Sequence, residues 1–352
     1  MKIKQMGILV LGAMALAACG NGGSTKESTT TQDSKAPATS ETTASETATD
    51  SLAGKEITVY SAGPDDLAAN IQKAFQDKTG VKVNLFQGTT GKILAKLAAE
   101  KGNPVADVLV LASLSTMDGL KQAGELQAYP GAVGQENLNP EWQDKDSDYF
   151  AYSASALGIT YNTDHVTEPP QEWTDLADSK WKDKFNMPDP SLSGSALDFT
   201  FGYTVANDWN TVESWFNNGL QIMGANKEAL DAVITGEKDV TLSGVDYMTY
   251  DAKAKGEPVD IVYPASGTVV SPRAAAITST SKEVAASQAF IDFLLSDEGQ
   301  KLVADAYLLP GNSNTPVKDR AKLSDINQIK VDWTNSEDKQ VEVLDHFASL
   351  AE

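Results

Sequence analysis

From Glu56 onward the chain repeats one local pattern, strand then turn then helix, and that repetition leaves few folds open. Glu56-Ile57-Thr58-Val59-Tyr60 is rich in β-formers and runs into the turn Ser61-Ala62-Gly63-Pro64. Asp65 to Lys78 then sets Leu67, Ile71, Ala74 and Phe75 on one helical face and stops at Gly80. Val81 to Phe86 reads as a second strand, Gln87 to Thr90 as a loop and Lys92 to Lys101 as another helix. Ala106 to Leu111 is an almost unbroken apolar run, the pattern of a buried parallel strand. Parallel strands joined through helices need right-handed crossovers, so the pattern predicts an α/β sheet covered by helices.

The first 54 residues do not share this pattern. Lys2 and Lys4 precede an apolar run from Met6 to Ala18, too short to span a bilayer comfortably, and Leu16-Ala17-Ala18-Cys19 closes it. That closing tetrapeptide resembles the bacterial lipoprotein cleavage box. It predicts a leader over 1–18, a lipid on Cys19 and a protein held at the extracellular face of the cell membrane. An ordinary signal peptide with an incidental cysteine is the alternative. Residues 19–54 carry Ser, Thr, Glu, Asp, Ala and Gly without an aromatic residue, which predicts a solvated, disordered tether. One cysteine leaves no internal disulfide, so packing alone must hold the folded part. Acidic residues outnumber basic ones by 49 to 28, a balance that argues against nucleic acid as a partner.

Several segments in order carry a resemblance. Ile57-Thr58-Val59-Tyr60-Ser61, Thr79-Gly80-Val81-Lys82-Val83, Ala106-Asp107-Val108 and Ala156-Leu157-Gly158-Ile159-Thr160-Tyr161-Asn162 are followed by Trp173-Thr174-Asp175-Leu176. Met187-Pro188-Asp189-Pro190 with Ser193-Gly194-Ser195-Ala196, and Ala289-Phe290-Ile291-Asp292-Phe293-Leu294-Leu295-Ser296, complete the set. Together they resemble the extracellular solute-binding proteins of ABC importers, in the branch that holds ferric-ion, thiamine, sugar-phosphate and aminoethylphosphonate binders. The resemblance implies a type II periplasmic-binding-protein-like fold with two lobes, two hinge strands and a ligand cleft between them. Lobe one would comprise 55–155 plus 270–312 and lobe two 156–269, with a helical tail over 313–352. The chain would act as a monomer without a cofactor, passing its solute to a permease driven by an ATPase.

The residues themselves mark a site. Open α/β sheets bind ligands beyond the carboxyl ends of their strands, where helix N-termini present free N–H groups to anions. Ser61-Ala62-Gly63, Thr89-Thr90-Gly91 and Ser193-Gly194-Ser195 are three turns of that kind. Their hydroxyls serve equally well as N-caps, and both readings stand at this point. Gly91-Lys92 is no P-loop, because Phe86 occupies the first glycine position and Ile93 follows the lysine. Lys92 therefore reads as helix surface.

The resemblance also bears on ligand class. Ferric-ion members carry two adjacent tyrosines where this chain has Asp246 and Tyr247. Ionising one phenol at neutral pH costs about 4 kcal/mol, which a metal offsets best with several anionic ligands. Asp246 and Tyr247 suit the organic end of a solute whose phosphate rests on Ser61, Ala62, Thr89, Thr90, Gly91, Ser193, Gly194 and Ser195. Held with an added anion, iron on Tyr247 and Asp246 remains the alternative. Helix capping by Asp246 and core packing by Tyr247 are the plainer possibilities. His165 and His346 lack metal-ligand spacing. Ser266 and Thr268 are placed to reach the cleft. Arg273, one of only two arginines, fits either a phosphate or a structural ion pair. A secreted phosphate-ester hydrolase is the remote alternative to a receptor, because no nucleophile–base motif is present.

Overall fold

The computed structural model describes residues 52–333 and 336–351. The leader, Cys19 and nearly all of the tether lie outside the described residues. A turn at Leu52 lets the Gly54 N–H reach the Gly80 carbonyl at 3.1 Å, so ordered contacts already include residues just before Lys55.

The expected strand–helix alternation is built as β1 (Glu56–Ser61), α1 (Asp65–Thr79), β2 (Lys82–Gln87), α2 (Thr90–Ala99), β3 (Val108–Leu111) and α3 (Leu114–Gln122). α1 buries Leu67, Ala68, Ile71 and Phe75, and Gly80 ends it in the left-handed region. α2 starts two residues earlier than the sequence suggests, because Thr89 caps it by accepting from the Lys92 N–H. Asp107 shortens β3 from its expected start by turning its carboxylate to the Thr58 N–H, 2.8 Å away.

After β4 (Leu126–Gln127) comes the longest described strand, β5 (Phe150–Asn162). The second half of the sheet follows as β6 (Phe185–Met187), α4 (Gly194–Ala206), α5 (Trp209–Asn217), β7 (Gln221–Ile222), α6 (Asn226–Ile234), β8 (Val240–Val245), α7 (Asp246–Ala254) and β9 (Val259–Val262). β10 (Val270–Thr278), α8 (Val284–Leu295), α9 (Asp297–Asp305) and β11 (Leu309–Pro310) return the chain to the β3 side of the sheet, and α10 (Glu337–Leu350) follows in the tail.

The strands run in the order β2-β1-β3-β10-β5-β8-β6-β7. β1, β2 and β3 are parallel, whereas β10 lies antiparallel to both β3 and β5. β5 joins the two halves by changing partner. Phe150 to Ala156 pair with β10, and from Leu157 onward the strand pairs with β8 and β9. Gly158 sits just past that switch, where a Cβ would lie 2.7 Å from the Val262 carbonyl oxygen. Only glycine lets the three strands approach so closely.

Two large buried apolar clusters flank the sheet, and one of them runs without a break from Tyr60 and Leu109 to Trp173 and Phe199. In lobe one Phe75 meets Phe290 edge-on at 5.1 Å. In lobe two Trp173, Phe199, Tyr203 and Trp215 form a continuous aromatic chain. The tail is less independent than a separate appendage, since it touches both halves. Lys330 pairs with Glu141 at 2.6 Å in lobe one, while Trp333 packs on Phe201 and His346 stacks on Trp209 in lobe two.

Candidate functional site

The turns marked by the sequence lie where the two lobes meet. Ser61 is buried at the end of β1, with its Oγ accepting from the Gly63 N–H at 3.0 Å. The Ala62 N–H donates to the Val110 carbonyl. Thr90 is buried at the start of α2, and its Oγ1 accepts from the Ala112 N–H at 3.3 Å. Across the seam Ser193 caps α4 through the Ala196 N–H and donates to Asn226 Oδ1 at 2.8 Å. Ser195 accepts from Asn226 Nδ2 at 3.0 Å. Gly194 is the contact point between lobes, since a Cβ there would stand 2.7 Å from Thr90 Oγ1 and 2.8 Å from the Ala112 carbonyl oxygen. Gly91 faces the Ser191 carbonyl in the same way. Structure thus unites the turns around Thr90 and Gly194, whereas Ser61 sits beside Tyr152 at a separate part of the crevice.

One turn into α4, Asp198 reaches back across the seam. Its fully buried carboxylate accepts from Ser113 at 2.7 Å and Ser115 at 3.0 Å in lobe one, and from Ser271 of β10 at 2.7 Å. Burial pushes its pKa up to about 7, against the pull of those three hydroxyls.

Asp246 does not face the seam with free oxygens. It opens α7, completely buried, and meets the Arg320 guanidinium at 2.6 Å. The Ala156 and Tyr247 N–H groups and the Tyr263 hydroxyl supply its other donors. Sequence pointed to Asp246 as the acceptor for a solute's organic end; the structure gives that carboxylate to an arginine 74 positions away. Nor is it the cap of α7, which Val245 precedes. Ser266 lies exposed against Glu172, and Thr268 donates to the Leu157 carbonyl.

Arg273 has no such partner. It is 4 % exposed, and its Nε and Nη1 are buried without a hydrogen bond. The ion pair considered for it is made by Arg320 instead. Its guanidinium lies over the Tyr247 ring, 5.8 Å from the centroid. Burial raises the phenol pKa of both Tyr247 and Tyr152, and in each the Arg273 charge works in the opposite direction. Arg273 therefore lies against Tyr247, and its charge is also felt by Tyr152 of β5. Opposite it on β5 is Ser153, and Ser155 lies two residues on; both hydroxyls are buried without a well-formed hydrogen bond, that of Ser153 near enough to the Tyr152 phenol to pull its pKa down. Ser243 inside β8, held at φ 60° where the register with β5 shifts, and the Gln87 amide at the end of β2 are unpartnered too.

Sequence reasoning missed Tyr152, Ser153, Ser155, Asp198 and Asn226. The alternation of serine with alanine in Ser153-Ala154-Ser155-Ala156, inside an otherwise apolar strand, was the available signal. A cavity of about 20 Å³ beneath Ser61, Gly63 and Tyr152 has room for a water rather than a solute. Three carboxylates converge among the described residues at Asp144, Asp146 and Asp148, where the Lys121 ammonium already sits. His165 approaches Asp239 and His346 stacks on Trp209, so neither joins a metal-ligating group among the described residues.

Residues 103–337 match the model of a family described as bacterial extracellular solute-binding protein. The chain belongs to that family. It is a family of solute-binding proteins rather than enzymes, working with the permeases of ABC importers outside the cytoplasm. Among similar proteins, iron uptake protein A1 of Synechocystis is 26% identical over 304 residues, spanning 80% of this chain and 82% of its own. A putative 2-aminoethylphosphonate-binding periplasmic protein of Salmonella typhi is 24% identical over 254 residues, covering 66% of this solute-binding protein and 70% of its own length. The crystal structure of AfuA from Actinobacillus pleuropneumoniae with fructose-6-phosphate bound superposes with a TM-score of 0.74 at 23% identity. That likeness covers 84% of this chain and 98% of the other, and it establishes the two-lobe periplasmic-binding-protein fold.

Proposed function

We propose that this solute-binding protein captures a small organic phosphate or phosphonate between its lobes and hands it to an ABC permease. The observation that carries this reading is the meeting of two helix N-termini from opposite lobes, α2 at Thr90 and α4 at Gly194. Such termini favour anions by roughly 0.3–1 kcal/mol each, and closure brings both to one seam. A solute held there favours the closed state through its contacts with both halves. On this reading the protein is a monomer anchored by a lipid on Cys19, as Leu16-Ala17-Ala18-Cys19 suggests.

Ferric iron is the second reading, favoured by Tyr247 in the crevice and by the kinship with an iron uptake protein. Two facts weigh against it. Asp246, the other anionic candidate, is committed to Arg320, and a guanidinium stands on the Tyr247 ring. Isothermal titration of the mature protein with 2-aminoethylphosphonate, hexose phosphates and ferric citrate tests the choice. Micromolar binding of an organic phosphate or phosphonate without release of free phosphate is expected. Binding of ferric citrate alone would overturn the proposed solute class, and turnover would revive the hydrolase.

A further inference from the structure

We infer that Arg273 is the residue that grips the solute's oxyanion, on the floor of the hinge between the Tyr247 ring and Ser153 of β5. This deepens the proposed function and rests on it for the identity of the solute. At the turns around Thr90 and Ser193–Ser195 the Ser193 and Ser195 hydroxyls are engaged with Asn226 and Thr90 Oγ1 accepts from the Ala112 N–H, so these turns supply field and shape more than donors. The unused hydrogen-bonding capacity is elsewhere. It lies on Arg273, Ser153 and Ser155, which the β5–β10 register places side by side.

A guanidinium without a partner is costly to bury, whereas one that meets an anion is not. This chain shows both cases. Arg320 is buried completely and fully engaged with Asp246 and backbone carbonyls. Arg273 is almost as deeply buried, and no carboxylate of the described residues pairs with it. Its position explains the difference. Ala274 is the last residue of β10 to pair with β3, opposite Leu111, so Arg273 stands just beyond the carboxyl end of β3. That is the place where an open parallel sheet receives its ligand.

The chemistry narrows the ligand. A planar fork with free Nε–H and Nη1–H matches two oxygens of one tetrahedral phosphate or phosphonate group. The Ser153 and Ser155 hydroxyls are donors for the remaining oxygens. Tyr247 belongs to lobe two and lies against Arg273 of the hinge, so an anion on Arg273 is also held at the junction of the two halves. The acids whose charge Tyr247 feels are Asp246, already paired with Arg320, and Asp65, and the Asp198 carboxylate nearby is occupied by three hydroxyls.

The test compares wild type with Arg273→Met and Arg273→Lys in the mature protein. The probes are 2-aminoethylphosphonate, glucose 6-phosphate and inorganic phosphate, read by calorimetry and thermal shift. Arg273→Met should weaken the tightest of these by roughly 10–100-fold, and Arg273→Lys by less, since it keeps charge but loses the fork. Without ligand the melting temperature of Arg273→Met should equal or exceed that of wild type. A merely structural arginine would lower it. Affinity within threefold of wild type, or a wild type whose melting temperature ignores millimolar inorganic phosphate, overturns the inference. If wild type instead prefers ferric citrate, the proposed solute class fails. The inference about Arg273 is then decided on that probe, by whether Arg273→Met weakens it.

Discussion

The two arginines of this chain carry opposite roles, and nothing in their local sequence separates them. Arg273 sits among alanines and reads as a structural cation, while Arg320 lies in a polar stretch of the tail. Only the fold brings Arg320 to Asp246, across 74 positions, together with the Tyr263 hydroxyl that shares the same oxygen. That distance is why Asp246 looked available to a solute. Arg320→Met should therefore destabilise the protein by about 3–5 kcal/mol, because it leaves a buried carboxylate without its partner. The double variant Arg320→Met/Asp246→Leu should recover much of the loss, since an apolar pair needs no counter-charge. Urea unfolding of the two variants measures both effects; equal losses would mean that the pair is not what holds this region.

At the scale of elements, helices and strands that alternate with turns were legible because their signals are local. Capping residues, apolar spacing and a terminal glycine all act within one or two turns. α4 was legible only in part. Ser193 was visible as a cap, but the burial of most of the first ten residues of the helix hid the contacts of Asp198, which looks in sequence like a surface residue of a helix. The ordinary value of an aspartic acid is 3.8, and burial holds this one up to about 7. Between those values the folded protein keeps a proton that the unfolded chain has released. The stability this supplies is fully present near pH 4 and falls as pH rises, to be lost above about 7. Asp198→Asn imitates the protonated acid. Its melting temperature should fall less than wild type between pH 5 and pH 8, and at pH 8 should stand higher by at least roughly 2–4 °C. Parallel melting curves across that range would remove Asp198 from the pH response.

Over the whole molecule, the two-lobe plan followed from the order of segments, but the points where the halves are tied did not. The tail's contacts join residues far apart, as in Trp333 on Phe201 and His346 on Trp209. No local pattern encodes such pairings. The distribution of charge has a consequence of its own. The full sequence carries a net −21, yet the cation we assign to the solute is hidden beneath this acidic exterior. A negatively charged guest is repelled during its approach and attracted only after it has entered. Added salt shortens the reach of that repulsion, to about 10 Å at 0.1 M, but hardly touches an interaction shielded from water. Stopped-flow mixing should therefore find capture quickening as ionic strength rises, with escape almost unchanged, the reverse of a receptor that draws its cargo in by long-range attraction.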